Sequence, residues 1–224
     1  MPSSVEICNL ALSHLGDTAT VASIDPPEGS AQAEHCARFY PFARDSLIEM
    51  HPWGFATRRI VLAELANTWP QWAHAYARPA DCVTVISVIP PDSTEDYQSR
   101  VVWPYPTSYP SSPGATFAAG VPQPYACELN DNLAQVILTN QERATLRYVA
   151  RVTDTTKFSH LFTLALSWHL ASMLAGPILK GDAGAAEAKR CSQMMISWLQ
   201  QAQLADALQQ SISVEQSVNW IAGR

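Results

Sequence analysis

The stretch FYPFARDSLIEMHPWGFATRR, residues 39–59, decides how this chain folds. Just before and within it, Cys36, Phe39, Ala43, Leu47 and Met50 recur at three and four residues, the spacing of one helix face. The spacing predicts a helix from about Ser30 to Met50. Pro41 lies inside it and predicts a kink or a fresh helix start, because proline lacks an N–H and crowds the preceding turn. His51-Pro52 ends the segment, since a residue before proline disfavours the α region. Trp53 and Phe55 then plug a helix pair. A third helix is expected over about Phe55 to Leu65, with Ile60 and Ala63 inward and Arg58 and Arg59 outward.

Working outward, Ser3-x-x-Glu6 is a capping box at the start of a first helix. Val5, Cys8, Leu12 and Leu15 give it one apolar stripe, and Gly16 supplies a left-handed stop. Residues 17–29 form a loop. Residues 67–81 are irregular and aromatic, with Trp69, Trp72 and Tyr76 around Pro70 and Pro79. CVTVISVI, Cys82 to Ile89, is β-branched and short, which predicts a strand. A polar, proline-dense run follows to Pro124, with Val101 to Trp103 a possible short strand inside it. Tyr125 to Leu129, Gln135 to Leu138 and Thr145 to Val152 are three further strands, the first two joined by a turn at Asn130-Asp131-Asn132. A helix over Thr156 to Leu174 carries Phe158, Leu161, Phe162, Ala165, Trp168, His169 and Ala171 and is stopped by Gly176-Pro177. Gly181 to Gly184 is a turn with Asp182 as N-cap. The last helix spans about Ala185 to Gln209, with Cys191, Met195, Trp198, Ala202 and Ala205 recurring on one face.

The expected fold is therefore mainly α. A helical bundle, residues 1–66 and 153–210, carries an inserted small antiparallel β module, residues 67–152. An extended C-terminal arm, residues 211–224, completes it.

Composition narrows the function. Only 15% of the 224 residues are charged while 47% are hydrophobic, and seven Trp and 16 Pro accompany them, which suits a surface partly covered by partners. The net charge of −6 and the absence of any Lys/Arg run exclude tight DNA binding, which needs clustered cations. Five scattered cysteines, Cys8, Cys36, Cys82, Cys127 and Cys191, form neither a disulfide framework nor a zinc motif and suit a reducing compartment. No run of about 18 apolar residues predicts a membrane span. The start MPSSVEICNL has an acid where a signal peptide needs positive charge, so the protein is expected to be used without export.

No catalytic motif emerges. Gly176 to Asp182 has two glycines at a phosphate-loop spacing, but Asp182 stands where lysine is required, and a helix–helix turn explains it better. The six histidines, His14, His35, His51, His74, His160 and His169, lack ligand spacing, and Glu95-Asp96 is a solvated loop. A muramidase-like carboxylate pair, such as Glu28 with Asp45, is the enzyme alternative: a phage cell-wall hydrolase acting at infection. Arg58 and Arg59 suit a solvated helix face, a phosphate or a neighbouring subunit's carboxylate. Trp220, in a short polar tail, either packs back on the last helix or anchors the tail in another subunit.

The ordered pieces ICNLALSHLGD, AEHCARFYPFARDSLIEMHPWGFATRRIVLA, AYARPADCVTVISV, LRYVARVTDTTKFSHLF and AGAAEAKRCSQMMISWLQQAQLADA cover most of the chain. As a set they resemble the head-to-tail adaptor of short-tailed bacteriophages, the tail tubular protein A family. The resemblance implies a virion structural protein without catalytic role, cofactor or metal. Its subunits would form a dodecameric ring at the head–tail junction, assembled from the host cytoplasm. The ring would join the portal protein to the tail nozzle protein, touch no membrane, and leave a channel for DNA. An acidic ring lets DNA slide, because phosphate is repelled. By position, Ser211 to Arg224 would be the family's portal-reaching arm, with Ile212, Val214, Val218, Trp220, Ile221 and Arg224 as portal contacts. Arg58 and Arg59 would be inter-subunit contacts. A host-receptor module is the third alternative, and the dominant helices argue against it.

Overall fold

A computed structural model describes residues 2–18, 20–91 and 123–209. Within them the chain is a mixed α/β protein, not the mainly α bundle expected. Helix takes 45% and strand 22%, and the strands form two antiparallel sheets. Contacts divide the chain into two compact units, Met1–Thr57 with Val149–Gln210, and a second containing Arg58–Tyr148. The expected strand at 101–103 and the arm at 211–224 lie outside the described residues.

The first unit holds four helices: α1 (Ser4–His14), α2 (Ala31–Glu49), α3 (His160–Leu179) and α4 (Gly181–Ala207). The capping box at α1 forms: Glu6 N donates to Ser3 Oγ at 3.2 Å, and Ser3 N to Glu6 Oε2 at 2.6 Å. Its buried stripe is Ile7, Cys8, Ala11 and Leu12, shifted round from the expected one so that Val5 is only half-buried. α2 runs through Pro41 as one helix. Pro41 lies on the exposed side of the helix, where the Ala37 carbonyl it leaves without a helical donor is not sealed in the core.

α3 also outruns its expected stop and continues through Gly176-Pro177 to Leu179. The turn expected at 181–184 shrinks to one residue, Lys180, held at φ 56° between α3 and α4. Asp182 is thus not the N-cap. It sits in the first turn of α4, where a carboxylate complements the helix dipole. This tight reversal brings the two helices very close: a Cβ on Gly184 would lie 2.9 Å from the Ala175 carbonyl oxygen. α3 is long and apolar enough, by length and composition, to cross a membrane. Here it packs against α1, α2 and α4 and buries Phe162, Leu166, Leu170 and Leu174 among them.

The helix expected over 55–65 is instead strand. The residues form β1 (Thr57–Val61) and β2 (Glu64–Leu65). Ala150 N donates to Ala56 O and Leu62 N to Ala144 O, at 2.8 and 2.9 Å, so the backbone groups on either side of β1 are spent on strand partners. Thr57, Ile60 and Val61 are β-branched and suit that choice. The supposedly irregular stretch at 67–81 holds β3 (His74–Ala77). β4 (Cys82–Ile89), β5 (Tyr125–Leu129), β6 (Gln135–Thr139) and β7 (Thr145–Ala150) fall close to where the sequence places strands.

The sheets are ordered β1-β7-β4 and β2-β3-β6-β5. In the second, Ala75 pairs with Leu138 and Leu138 with Ala126, which puts these side chains on one face. With Val136 they make a small core beneath Trp69 and Trp72. The β5–β6 hairpin closes at the expected asparagine. Asn130 Oδ1 accepts from Asn132 N at 3.0 Å and Ala134 N at 2.9 Å, and Leu133 takes φ 59°.

Candidate functional site

The aromatic knot after α2 is the densest constellation in the helical unit. Trp53 is fully buried, and its indole Nε1 donates to the Leu47 carbonyl at 2.8 Å. Its ring meets Phe162 edge-on at 5.0 Å and lies 5.9 Å from Phe55, which itself touches Phe158 and Phe162. A buried indole needs such an acceptor, because an unpaired N–H in a core costs about 1–3 kcal/mol.

Asp206, near the end of α4, fastens this knot. Gly54 N donates to its two carboxylate oxygens at 3.0 and 3.1 Å, and His51 Nε2 lies 3.3 Å from Oδ2. A Cβ on Gly54 would stand 3.3 Å from Oδ1, so glycine allows the close approach. Helical periodicity does not single out Asp206, because it cannot rank one acid within a polar series. One signal was present: it is the only Asp, Glu, Lys or Arg between Arg190 and Glu215.

That scarcity shapes the outer side of α4. Asp206 turns inward, and the exposed positions between Gln193 and Leu208 carry only uncharged side chains. Among them Ile196 is 50% exposed, Leu204 68% and Leu208 87%. Exposed Gln193, Ser197, Gln200, Gln201 and Gln209 stand around them, so this side is uncharged and amide-rich with three exposed aliphatic residues, a surface poor in the charge that keeps partners off.

Arg58 lies on β1 and is exposed, with Nη1 3.0 Å from Asp81 Oδ2. Tyr148 OH donates to Asp81 Oδ1 at 3.1 Å. Burial, reinforced by the bond to Asp81, pushes the Tyr148 phenol up. Arg59 is also exposed and, one residue further along a strand, points to the opposite face of the sheet. The two arginines therefore do not form one patch. Ile212, Val214, Val218, Trp220, Ile221 and Arg224 lie outside the described residues.

The remaining sequence candidates resolve into local structure. Glu28 accepts from Ala22 N and Ser30 Oγ, both at 2.9 Å, and the Ala22 bond chiefly holds its carboxyl below the usual range. Asp45 holds Arg44 at 2.7 Å and Arg151 at 3.0 Å. Each carboxylate thus serves its own contacts, and two guanidinium groups occupy the lone pairs of Asp45. Gly176 to Asp182 is the α3–α4 reversal. Cys8 and Cys36 are fully buried, and the bond to Cys36 together with burial keeps the Cys8 thiol protonated. Among the described residues no group of three His, Cys, Asp or Glu is placed to hold a metal ion.

Two histidines are held neutral. His14 stacks on Trp168 at 3.6 Å and lies 3.0 Å from Ser167 Oγ; burial, with nearby Arg190, lowers its pKa. His169 lies 2.9 Å from Ser46 Oγ, and burial lowers its pKa too. Both link helices rather than face solvent as a pair.

No protein-family model matches the chain, and no curated protein matches it.

Proposed function

We propose that this chain is a structural adaptor of the phage virion, a subunit of a ring that joins the portal protein to the tail nozzle protein and leaves a channel for DNA. The observation that carries the reading is the ordered set of sequence pieces, with HPWGFATRR at its centre. The structure supports it in two ways. The central stretch is spent on a packing knot whose polar groups are satisfied internally, as a scaffold requires. The outer side of α4 is uncharged, with exposed Ile196, Leu204 and Leu208 among glutamines, which suits a protein partner. The net charge of −6 suits a channel wall that DNA passes without sticking.

Negative-stain imaging of the purified protein mixed with portal particles tests the proposal. A ring of added density below the portal is the expected result, and bare portal particles at saturating protein would sink it. Deleting residues 211–224 should abolish attachment while leaving the helical circular-dichroism signal intact. Attachment that survives the deletion would put the portal contact elsewhere.

A further inference from the structure

Contacts spaced along β4 and β5 bring two cysteines of the second unit together. Gln123 N donates to the Val88 carbonyl at 2.8 Å, in an isolated antiparallel bridge. Further along, Tyr125 OH donates to the Val85 carbonyl at 3.3 Å. Each step forward on one segment is thus a step back on the other, as antiparallel neighbours require. Cys127 lies two residues beyond Tyr125 on the same face of β5, so it too faces β4, whose first residue is Cys82. Arg78 joins them. Its Nη2 donates to the Cys82 and Val83 carbonyls at 3.0 and 2.7 Å, and the guanidinium also bonds the Cys82 thiol and acts on Cys127.

We propose that Cys82 and Cys127 are a dithiol site that a small-molecule disulfide of the glutathione class oxidises to a bond joining β4 to β5. The inference stands without the adaptor reading. Cys127 is exposed and Cys82 half-buried, whereas Cys8, Cys36 and Cys191 are fully buried. Cys127 therefore attacks first. Its thiolate, having lost its proton to solvent, takes one sulfur of the small disulfide, and the S–S bond there breaks. The departing thiolate picks up a proton. The Cys82 thiolate, stabilised by Arg78, then attacks Cys127 Sγ and releases the second small thiol. Two protein thiols become one disulfide, and one small disulfide becomes two thiols.

The surroundings set the pace and the consequence. Burial raises both thiols above their ordinary 9.0 by more than Arg78 lowers them, so little thiolate is present at pH 7 and closure is slow. A glutathione-reduced compartment keeps the pair open, and an oxidising one closes it. A disulfide needs Cα atoms about 4.4–6.8 Å apart. β5 ends its sheet, so among the described residues no further strand of that sheet holds it off β4. Closure would fasten this exposed edge to a strand of the other sheet.

The test is to incubate the full chain with oxidised glutathione and map its cysteines by non-reducing proteolysis and mass spectrometry. The expected product has lost two hydrogens, carries a Cys82–Cys127 link within one chain, and reverts with dithiothreitol. Its rate of formation should rise about tenfold per pH unit from 7 to 8.5. Cys82→Ser should stop at a stable glutathione adduct on Cys127. In the unaltered chain, such an adduct persisting without a link to Cys82 overturns the proposal. So does a Cys127 bond to a second chain, or a Cys127 left unreacted at pH 8.5. No portal or ring enters the experiment, so its failure is separable from failure of the adaptor reading.

Discussion

The helical unit and the β unit differ in what their cores are made of and in what they leave open. In the first, Trp53, Phe158, Phe162, Leu47 and Leu166 are buried around α3, and the polar atoms of the knot are paired. In the second, Tyr76, Val88, Ile137, Leu146 and Tyr148 are buried, and one face of the four-stranded sheet rests on Ala75, Val136 and Leu138, roofed by the half-buried Trp69 and Trp72. Its edge strand β5 is almost wholly exposed, with Leu129 and Leu133 near its turn facing solvent. A sheet with an exposed edge strand leaves backbone donors and acceptors open, whereas helices spend theirs internally. The difference teaches that an open strand edge, not a lack of core, sets the β unit apart.

The comparison breaks if its largest element fails. Trp53→Ala should cost about 3–5 kcal/mol, as loss of a fully buried tryptophan does, read by chemical denaturation of the full chain. A loss below about 1 kcal/mol would mean that the knot does not hold the helices. Asp206→Ala should cost roughly 2 kcal/mol, because Gly54 N loses its acceptor inside the structure. Asp206→Asn should recover part of that, since one oxygen can still accept. Hydrogen exchange should quicken over residues 203–209 and stay unchanged in β3 and β6.

The β unit supplies the converse. Trp72→Ala removes a half-buried roof and should cost about 1–2 kcal/mol, with protection lost in β3 and β6 while α3 keeps its own. Equal loss in both units would mean that they unfold as one, and the contrast would vanish.

A smaller effect lies in pH. His14 and His169 both have folded pKa values below the ordinary 6.5. As pH falls through 6.5 the unfolded chain takes up protons first, so stability should fall from there down to the lowered folded values and level off below them. Melting temperatures measured from pH 7.5 to 5 should show this slope, and His169→Gln should flatten it. A flat wild-type profile would show that these rings are not held neutral. The smallest effect is at Arg58. Its ion pair with Asp81 is exposed, so Arg58→Ala should change stability by less than about 1 kcal/mol. A larger loss would give the β unit an electrostatic brace that an exposed pair is not expected to supply.

Local chemistry was legible before any coordinates. The Ser3–Glu6 box, the strand at 82–89 and the asparagine turn at 130–132 each arise from neighbours a few residues apart. The segment after the knot was not. ATRRIVLAEL has helix-like spacing at Ile60 and Ala63, yet its backbone partners are Ala144 and Ala150. Nothing within ten residues of Thr57 announces them. Gly176-Pro177 misled for a related reason: a helix end is set by what packs on it, and α4 lies against that turn closely enough to demand Gly184.

The site was legible only in outline. The sequence marked Trp53-Gly54-Phe55 as a lock but left its keeper unknown, because Asp206 lies 152 residues from Gly54. Arg58 and Arg59 read as a pair and fall on opposite faces once the segment is a strand, since side chains alternate there instead of sharing a helix side.

By itself, the sequence determined the starts of α1 and α2, the asparagine turn at 130–132, the scarcity of charge and the lack of recognisable catalytic motifs, since each depends on residue type and short spacing. The tertiary structure alone decided which segment became β1, which acid fastens the knot and which side of α4 is left bare. Those outcomes depend on backbone and side-chain partners brought together from distant parts of the chain, and no local pattern encodes them.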